Sequence, residues 1–122
     1  MSTEPRTITV RTLDHGPVTL TCPAWCTGVH DDDVHRADVS HDGTEHVIAP
    51  AGREMFRALL TQAPYSGTDR RTGLYVEVAD IAGIRTPEQV EELADALVES
   101  AAQLRALGRQ LAGLLAGGEP GE

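Results

Sequence analysis

"TCPAWCTGVHDDDVHRADVSHDG", residues 21–43, holds both cysteines, the only tryptophan and three of the five histidines of a 122-residue chain. Gathering thiols and imidazoles into one short segment is the pattern of a metal site. Zinc takes four ligands in a tetrahedron, with thiolate sulfurs at ~2.3 Å and imidazole nitrogens at ~2.0 Å. Cys22, Cys26 and His30 supply three such ligands at a repeated spacing of four. One helix cannot present them, because residues eight apart lie ~12 Å apart along a helix axis. The segment therefore has to fold as a knuckle, with Pro23 fixing φ just after the first ligand and Gly28 relaxing the chain before the third.

A fourth ligand must come from farther along. His41 is the first choice, since alternation from Val39 turns it back toward the site and Gly43 lets the chain leave. His35 is the runner-up, followed by His46 and by the oxygens of Asp31, Asp33 and Asp38. The neighbouring carboxylates are expected to accept the second N–H of a ligating imidazole. The plainer reading, buried thiols beside scattered surface histidines, accords with the small, apolar character of free cysteine, but the clustering argues against it. A redox pair would need the CxxC spacing, which is absent. An EF-hand needs Gly at its sixth position and Glu at its twelfth, where counting from Asp31 gives Arg36 and Asp42. Asp31, Asp32 and Asp33 read as a solvated turn.

Working outward, residues 7–13 alternate with Ile8 and Val10 on one face, and "VTLTC" puts Val18, Leu20 and Cys22 on one face after the turn-prone "DHGP". The pair predicts a β-hairpin that delivers Cys22 to the end of its second strand. "HVIAPAG" and "REMFRALLTQ" predict two more strands. The latter also fits a helical face, but Pro50 and Gly52 before it and "APYSGTDRRTG" after it make hairpin-like boundaries. "LYVEVAD" predicts a strand with Leu74, Val76 and Val78 facing inward.

The period then changes. Thr86, Pro87 and Gln89 form a capping-box start, and Val90, Leu93, Leu97, Leu104, Leu107, Leu111 and Leu114 recur at helical spacing, with Ser100 in the one weak slot. Residues 87–115 predict a helix ~43 Å long, longer than a small sheet is wide. Either it covers its own sheet or it pairs with a second copy, and close Ala-lined packing fits the flanks Ala94, Ala96 and Ala101 better than a charge-laced zipper.

Composition sets further bounds. Hydrophobic residues make up 40% and aromatic ones only 3%, so the core is built from Val, Leu, Ile and Ala and gains from a staple such as a metal. The net charge is −9, which argues against direct nucleic-acid binding and for a soluble surface or a basic partner. No stretch reaches the ~20 apolar residues of a membrane span, and the N-terminus lacks the apolar centre of a signal peptide, so a cytoplasmic location is expected. All ten basic residues are Arg, and Lys and Asn are absent, a usage typical of GC-rich genomes.

"CPAWC", His30 four residues on, the acidic segment with "AD", and "SHDG" together resemble the CPxWC–H–H signature of a small actinobacterial domain family of unknown function. The likeness covers roughly residues 6–105. It implies a zinc-binding-type pattern at Cys22, Cys26, His30 and His41, and it implies no activity.

These readings converge on an α+β fold: a small antiparallel β-sheet with a zinc knuckle and one long C-terminal helix packed on it. Residues 1–116 are expected to form a single domain and residues 117–122 a disordered tail. The expected cofactor is Zn2+. The expected function is a non-enzymatic, zinc-stabilised binding or regulatory module for protein partners. One alternative is a zinc-dependent hydrolytic enzyme with a Cys2His-water site and Asp33 as base; another is an acidic protein that blocks a basic, nucleic-acid-binding partner. Trp25, Leu97, Leu104, Leu107 and Leu111 are the candidate interaction residues, through a homodimer of the C-terminal helix or an unknown protein partner. Trp25 reads first as a lid over the thiolates and second as a contact.

Overall fold

The structure is a computed structural model and describes residues 6–117. It contains two antiparallel sheets and one long helix. Strands β1 (Arg6–Thr12) and β2 (Gly16–Cys22) form the expected hairpin, in a register that sets Ile8 opposite Leu20 and Arg6 opposite Cys22. Gly16 takes the positive φ of 63° that the turn requires, and Thr12 Oγ1 braces the turn by donating to Gly16 O at 2.7 Å and accepting the His15 N–H at 3.0 Å.

The acidic segment is stitched to the hairpin's edge. Asp33 N donates to Arg11 O at 2.7 Å and Leu13 N donates to Val34 O at 2.9 Å. This places Val34 and Val39 over the apolar face of the hairpin, where Val10, Leu20 and Val39 are buried and Ile8, Val18 and Tyr65 pack around them. Arg36 lies 4.9 Å from the centre of the Tyr65 ring, a cation–π contact that ties this segment to the loop after β5.

The second sheet contains β3 (His41–Asp42), β4 (His46–Ile48), β5 (Phe56–Gln62) and β6 (Gly73–Val78). Strand β5 is central: β3 and β4 share one of its edges and β6 takes the other. The segment that also fitted a helical face is thus a strand, preceded by a 3-10 turn at Pro50–Gly52. Met55 is fully buried beside it, its N–H bonded to Ile48 O at 2.8 Å.

Helix α1 (Pro87–Gly117) covers one face of this sheet. Its capping box forms as the sequence dictates: Thr86 N–H donates to Gln89 Oε1 at 3.0 Å, and Gln89 N–H donates to Thr86 Oγ1 at 3.2 Å. Leu107 is buried against Ile48 and Ala58, with Leu104, Phe56 and Leu74 around them. Ser100, the weak slot in the repeat, is fully buried and its Oγ has no hydrogen-bond partner, a desolvated hydroxyl that costs stability. Among the described residues, no helix is long and apolar enough to cross a membrane.

Three details differ from expectation. The strands form two sheets rather than one, because Pro23 ends β2 right after Cys22 and β3 pairs with β5. Val76 and Val78 share the helix-facing side with Leu74, being paired with Ala58 and Phe56, yet they are 44% and 59% exposed because α1 does not reach over them. The helix runs to Gly117, two residues past its expected end, and the rest of the expected tail, residues 118–122, lies outside the described residues.

Candidate metal centre

The knuckle sits where the two sheets meet. Cys22 is the last residue of β2, and a tight turn closed by Cys26 N–H to Pro23 O at 3.0 Å brings Cys26 back beside it. Gly28 N–H donates to Cys26 Sγ at 3.3 Å. Gly28 adopts φ 84°, a conformation that calls for glycine, and a Cβ there would meet only the end of the Arg6 side chain, 2.9 Å away at Nη1. The chain then returns His30, whose Nε2 lies 3.4 Å from Cys22 Sγ and 3.5 Å from Cys26 Sγ.

His41 arrives from the other sheet. It is the first residue of β3, fixed opposite Gln62 on β5, and its ring stands edge-on to His30 with centroids 5.3 Å apart. One ligand atom from each of Cys22, Cys26, His30 and His41 lies within 4.8 Å of the other three, and this group can hold a metal ion. Cys22, Cys26 and His41 are buried, and His30 is half-buried. Thr27 N–H to Asp42 O at 3.0 Å joins the knuckle to β3 directly.

The site disfavours uncompensated charge. Burial, reinforced by the adjacent Cys26, pushes the Cys22 thiol up to about 11. A thiolate there needs a compensating positive charge. Burial, followed by the neighbouring His30, lowers the pKa of His41, with Asp42 opposing. His41 is thereby held toward the neutral form that ligates metals. His30 Nδ1 and His41 Nδ1 are both buried without a hydrogen-bond partner, which leaves unsatisfied polar atoms in and around the cluster.

Residues 7–113 match the family described as Domain of unknown function (DUF6907). The chain belongs to this family. The match runs from β1 through both sheets and the Cys/His cluster into the last turns of α1, as the resemblance carried by "CPAWC" and its histidines implied. No curated protein and no solved structure matches the chain.

His35 stays outside the cluster, exposed at the start of the 3-10 turn Arg36–Asp38, and His46 is exposed on β4. The expected carboxylate partners of the imidazoles are engaged elsewhere. Asp42 accepts from Ser40 Oγ at 3.0 Å and Thr61 Oγ1 at 2.7 Å, Asp32 accepts the Arg11 N–H at 2.9 Å, and Asp33 pairs with the Arg11 guanidinium at 3.4 Å. Asp31 and Asp38 are exposed.

Trp25 is half-buried, with its indole Nε1 out of solvent and its ring edge-on to His41 at 6.5 Å. Gly43 makes room for it, since a Cβ there would come within 3.3 Å of Trp25 O and 3.5 Å of its ring. Of the helix residues singled out, Leu104 and Leu107 pack in the chain's own core, Leu111 is half-buried and Leu97 is 40% exposed. Sequence reading missed Arg6, whose guanidinium donates to Cys26 O and braces the knuckle. The hairpin register was the available signal, because it places Arg6 opposite Cys22.

Proposed function

We propose that Cys22, Cys26, His30 and His41 bind one structural zinc ion, and that the domain is a non-enzymatic binding or regulatory module held in shape by that ion. The observation that carries this reading is the convergence within 4.8 Å of four ligand atoms from the end of β2, the loop that follows it and β3 of the other sheet. A tetrahedral zinc separates a bound sulfur from a bound imidazole nitrogen by about 3.5 Å. The two sulfur-to-nitrogen distances at His30 are 3.4 and 3.5 Å. Two thiolates balance the charge of Zn2+, and the apolar ring of Trp25 packs beside the site.

Structural zinc is favoured over catalytic zinc by the ligand count. Catalytic sites keep one position for water and place a general base beside it. Here four protein side chains fill the tetrahedron. Asp33, the base the hydrolytic alternative requires, is paired with Arg11 on the surface, and Asp42 is engaged by two hydroxyls. Two unbridged cysteines suit a reducing compartment such as the cytoplasm.

Cobalt substitution separates the two kinds of site. With four protein ligands, the visible spectrum of the cobalt-loaded chain is expected to stay unchanged when azide or cyanide is titrated in. A spectrum that shifts with a saturable dissociation constant would mean an exchangeable position and would favour the hydrolytic reading.

A further inference from the structure

Strand β6 closes the larger sheet with its outer edge bare. It pairs with β5 without interruption, from Phe56 opposite Val78 to Thr61 opposite Gly73. Ala79 N donates to Met55 O at 2.9 Å, and this bond sets the phase of the ladder. Tyr75 and Glu77 turn their backbone N–H and C=O groups toward β5, whereas Leu74, Val76 and Val78 turn theirs outward. Among the described residues, no strand lies against that outer edge. Natural sheets guard such an edge with proline, lysine, a bulge or a covering element. The sequence "GLYVEV" has neither proline nor lysine, and its register runs without a bulge.

Helix α1 continues the same boundary. Gln103 and Ala106 meet β4 on one of its flanks, where Glu92, Asp95 and Glu99 also lie along the turn at Pro50 and Ala51. Val90 and Leu97 occupy the opposite flank, toward β6, and are 52% and 40% exposed. A strand added beside β6 would satisfy the outward backbone groups and lie under this apolar flank. The chemistry of the occupant is thereby fixed: an extended segment with apolar residues at alternate positions on its helix-facing side.

We infer that this segment is β6 of a second copy, paired antiparallel about a two-fold axis at Val76. The axis stands perpendicular to the sheet, so Leu74, Val76 and Val78 of both copies face the α1 side. In this register Val76 faces its own counterpart, Leu74 faces Val78 of the other copy, and about six backbone hydrogen bonds form. Tyr75 faces Glu77 of the other copy, so like charges do not meet. Neighbouring registers are worse. A shift by one residue sets outward backbone groups against inward ones. An axis at Glu77 opposes two carboxylates, and an axis at Tyr75 requires Val78 to face Thr72, which is buried ahead of the strand. The chain's own ends, "MSTEP" and "GEPGE", contain proline and no apolar alternation, so they do not supply the strand. The helices leave room for the pairing. Leu107 rests on Ile48 of β4 and Ala58 of β5 with Leu74 of β6 beside them, so α1 runs over β5. With strands ~4.8 Å apart, the two copies of α1 lie about 14 Å apart, wider than the ~10 Å at which helices meet.

Sedimentation equilibrium of the full-length, metal-replete chain tests this. The expected mass is twice the 13.0 kDa of one chain at about 100 μM, with a micromolar dissociation constant. Val76→Pro removes an N–H that β5 does not use, a substitution an edge strand accommodates. It is expected to raise the dissociation constant at least tenfold while leaving the far-ultraviolet dichroism and the metal content unchanged. Val78→Lys, which places on the edge the charge that natural edges carry, is expected to act in the same direction. Val47→Lys, on the opposite edge of the sheet, is the control expected to have no effect. Amide exchange in the unmodified chain gives a second reading. The Val76 and Val78 amides are expected to gain protection as concentration rises through the dissociation constant, whereas the Glu77 amide, bonded to β5, is protected throughout. A chain that is monomeric at about 100 μM, a dimer indifferent to both edge substitutions, or a dimer whose Val76 amide exchanges freely overturns the inference.

Discussion

His41→Ala abolishes stoichiometric zinc binding and lowers the unfolding free energy by about 3 kcal/mol or more. His41 is 2% exposed and is the only one of the four residues contributed by the second sheet. Removing it takes away a ligand and also leaves a hole beside Trp25 and His30. The cavity alone costs roughly 2 kcal/mol or more, so stability by itself does not separate packing from coordination. Two companion variants do. His41→Cys restores a zinc ligand set, Cys3His, and is expected to recover the metal and most of the stability. His35→Ala removes an exposed histidine and is expected to change stability by less than about 0.5 kcal/mol with metal content intact. Elemental mass spectrometry and urea denaturation read both quantities on the same samples. Full metal retention in His41→Ala would contradict the assignment of this ligand.

Chelation is expected to act on the two halves of the molecule unequally. The hairpin buries Val10, Leu20 and Val39, and the larger sheet buries Ile48, Ala58 and Leu107, so neither half has a large core. A two-stranded hairpin is marginal on its own, and the links that remain without metal are few: the Thr27–Asp42 bond, the packing of Trp25 on His41 and Gly43, and the packing of Tyr65 with its Arg36 contact. Structural zinc contributes an apparent ~10 kcal/mol or more in small domains, comparable with the whole stability of a domain this size. Excess EDTA should therefore remove amide-exchange protection in β1 and β2 by at least tenfold, while β5 and the middle of α1, packed on each other through Leu107, lose protection later. Hydrogen exchange read by mass spectrometry follows this peptide by peptide. Unchanged protection in β1 and β2 after complete metal removal would show that the hairpin is held by packing alone.

Much of this organisation is legible in the residue order, for identifiable reasons. Alternation in residues 7–22 fixes the hairpin because a one-residue slip would put Val10 and Leu20 in water. The capping box at Thr86 and Gln89 fixes the start of α1 because the side chains that satisfy its first N–H groups are local. The knuckle follows from Pro23, Gly28 and the ligand spacing. Partnership between strands is harder to read. Alternation marks which face of a strand is apolar but not which strand lies beside it, so the division into two sheets, with β3 on β5, does not follow from it. Val76 and Val78 show the same limit, since their pattern places them on the correct face while their exposure depends on where α1 lies. Arg6 was missed because strand β1 begins one residue earlier than its apolar alternation, and a guanidinium at a strand end reads as surface. The expected carboxylate partners of the imidazoles fail for a related reason: proximity in sequence does not prevent Asp42 from binding Ser40 and Thr61 instead.

The central claim is that one metal ion joins the two sheets through Cys22, Cys26, His30 and His41. The most direct test is the metal content of chain purified without added metal, followed by the visible spectrum of its cobalt-substituted form. One zinc per chain, with tetrahedral cobalt bands and thiolate charge transfer, is the predicted result. A metal-free chain with both thiols titratable and an intact fold would contradict it.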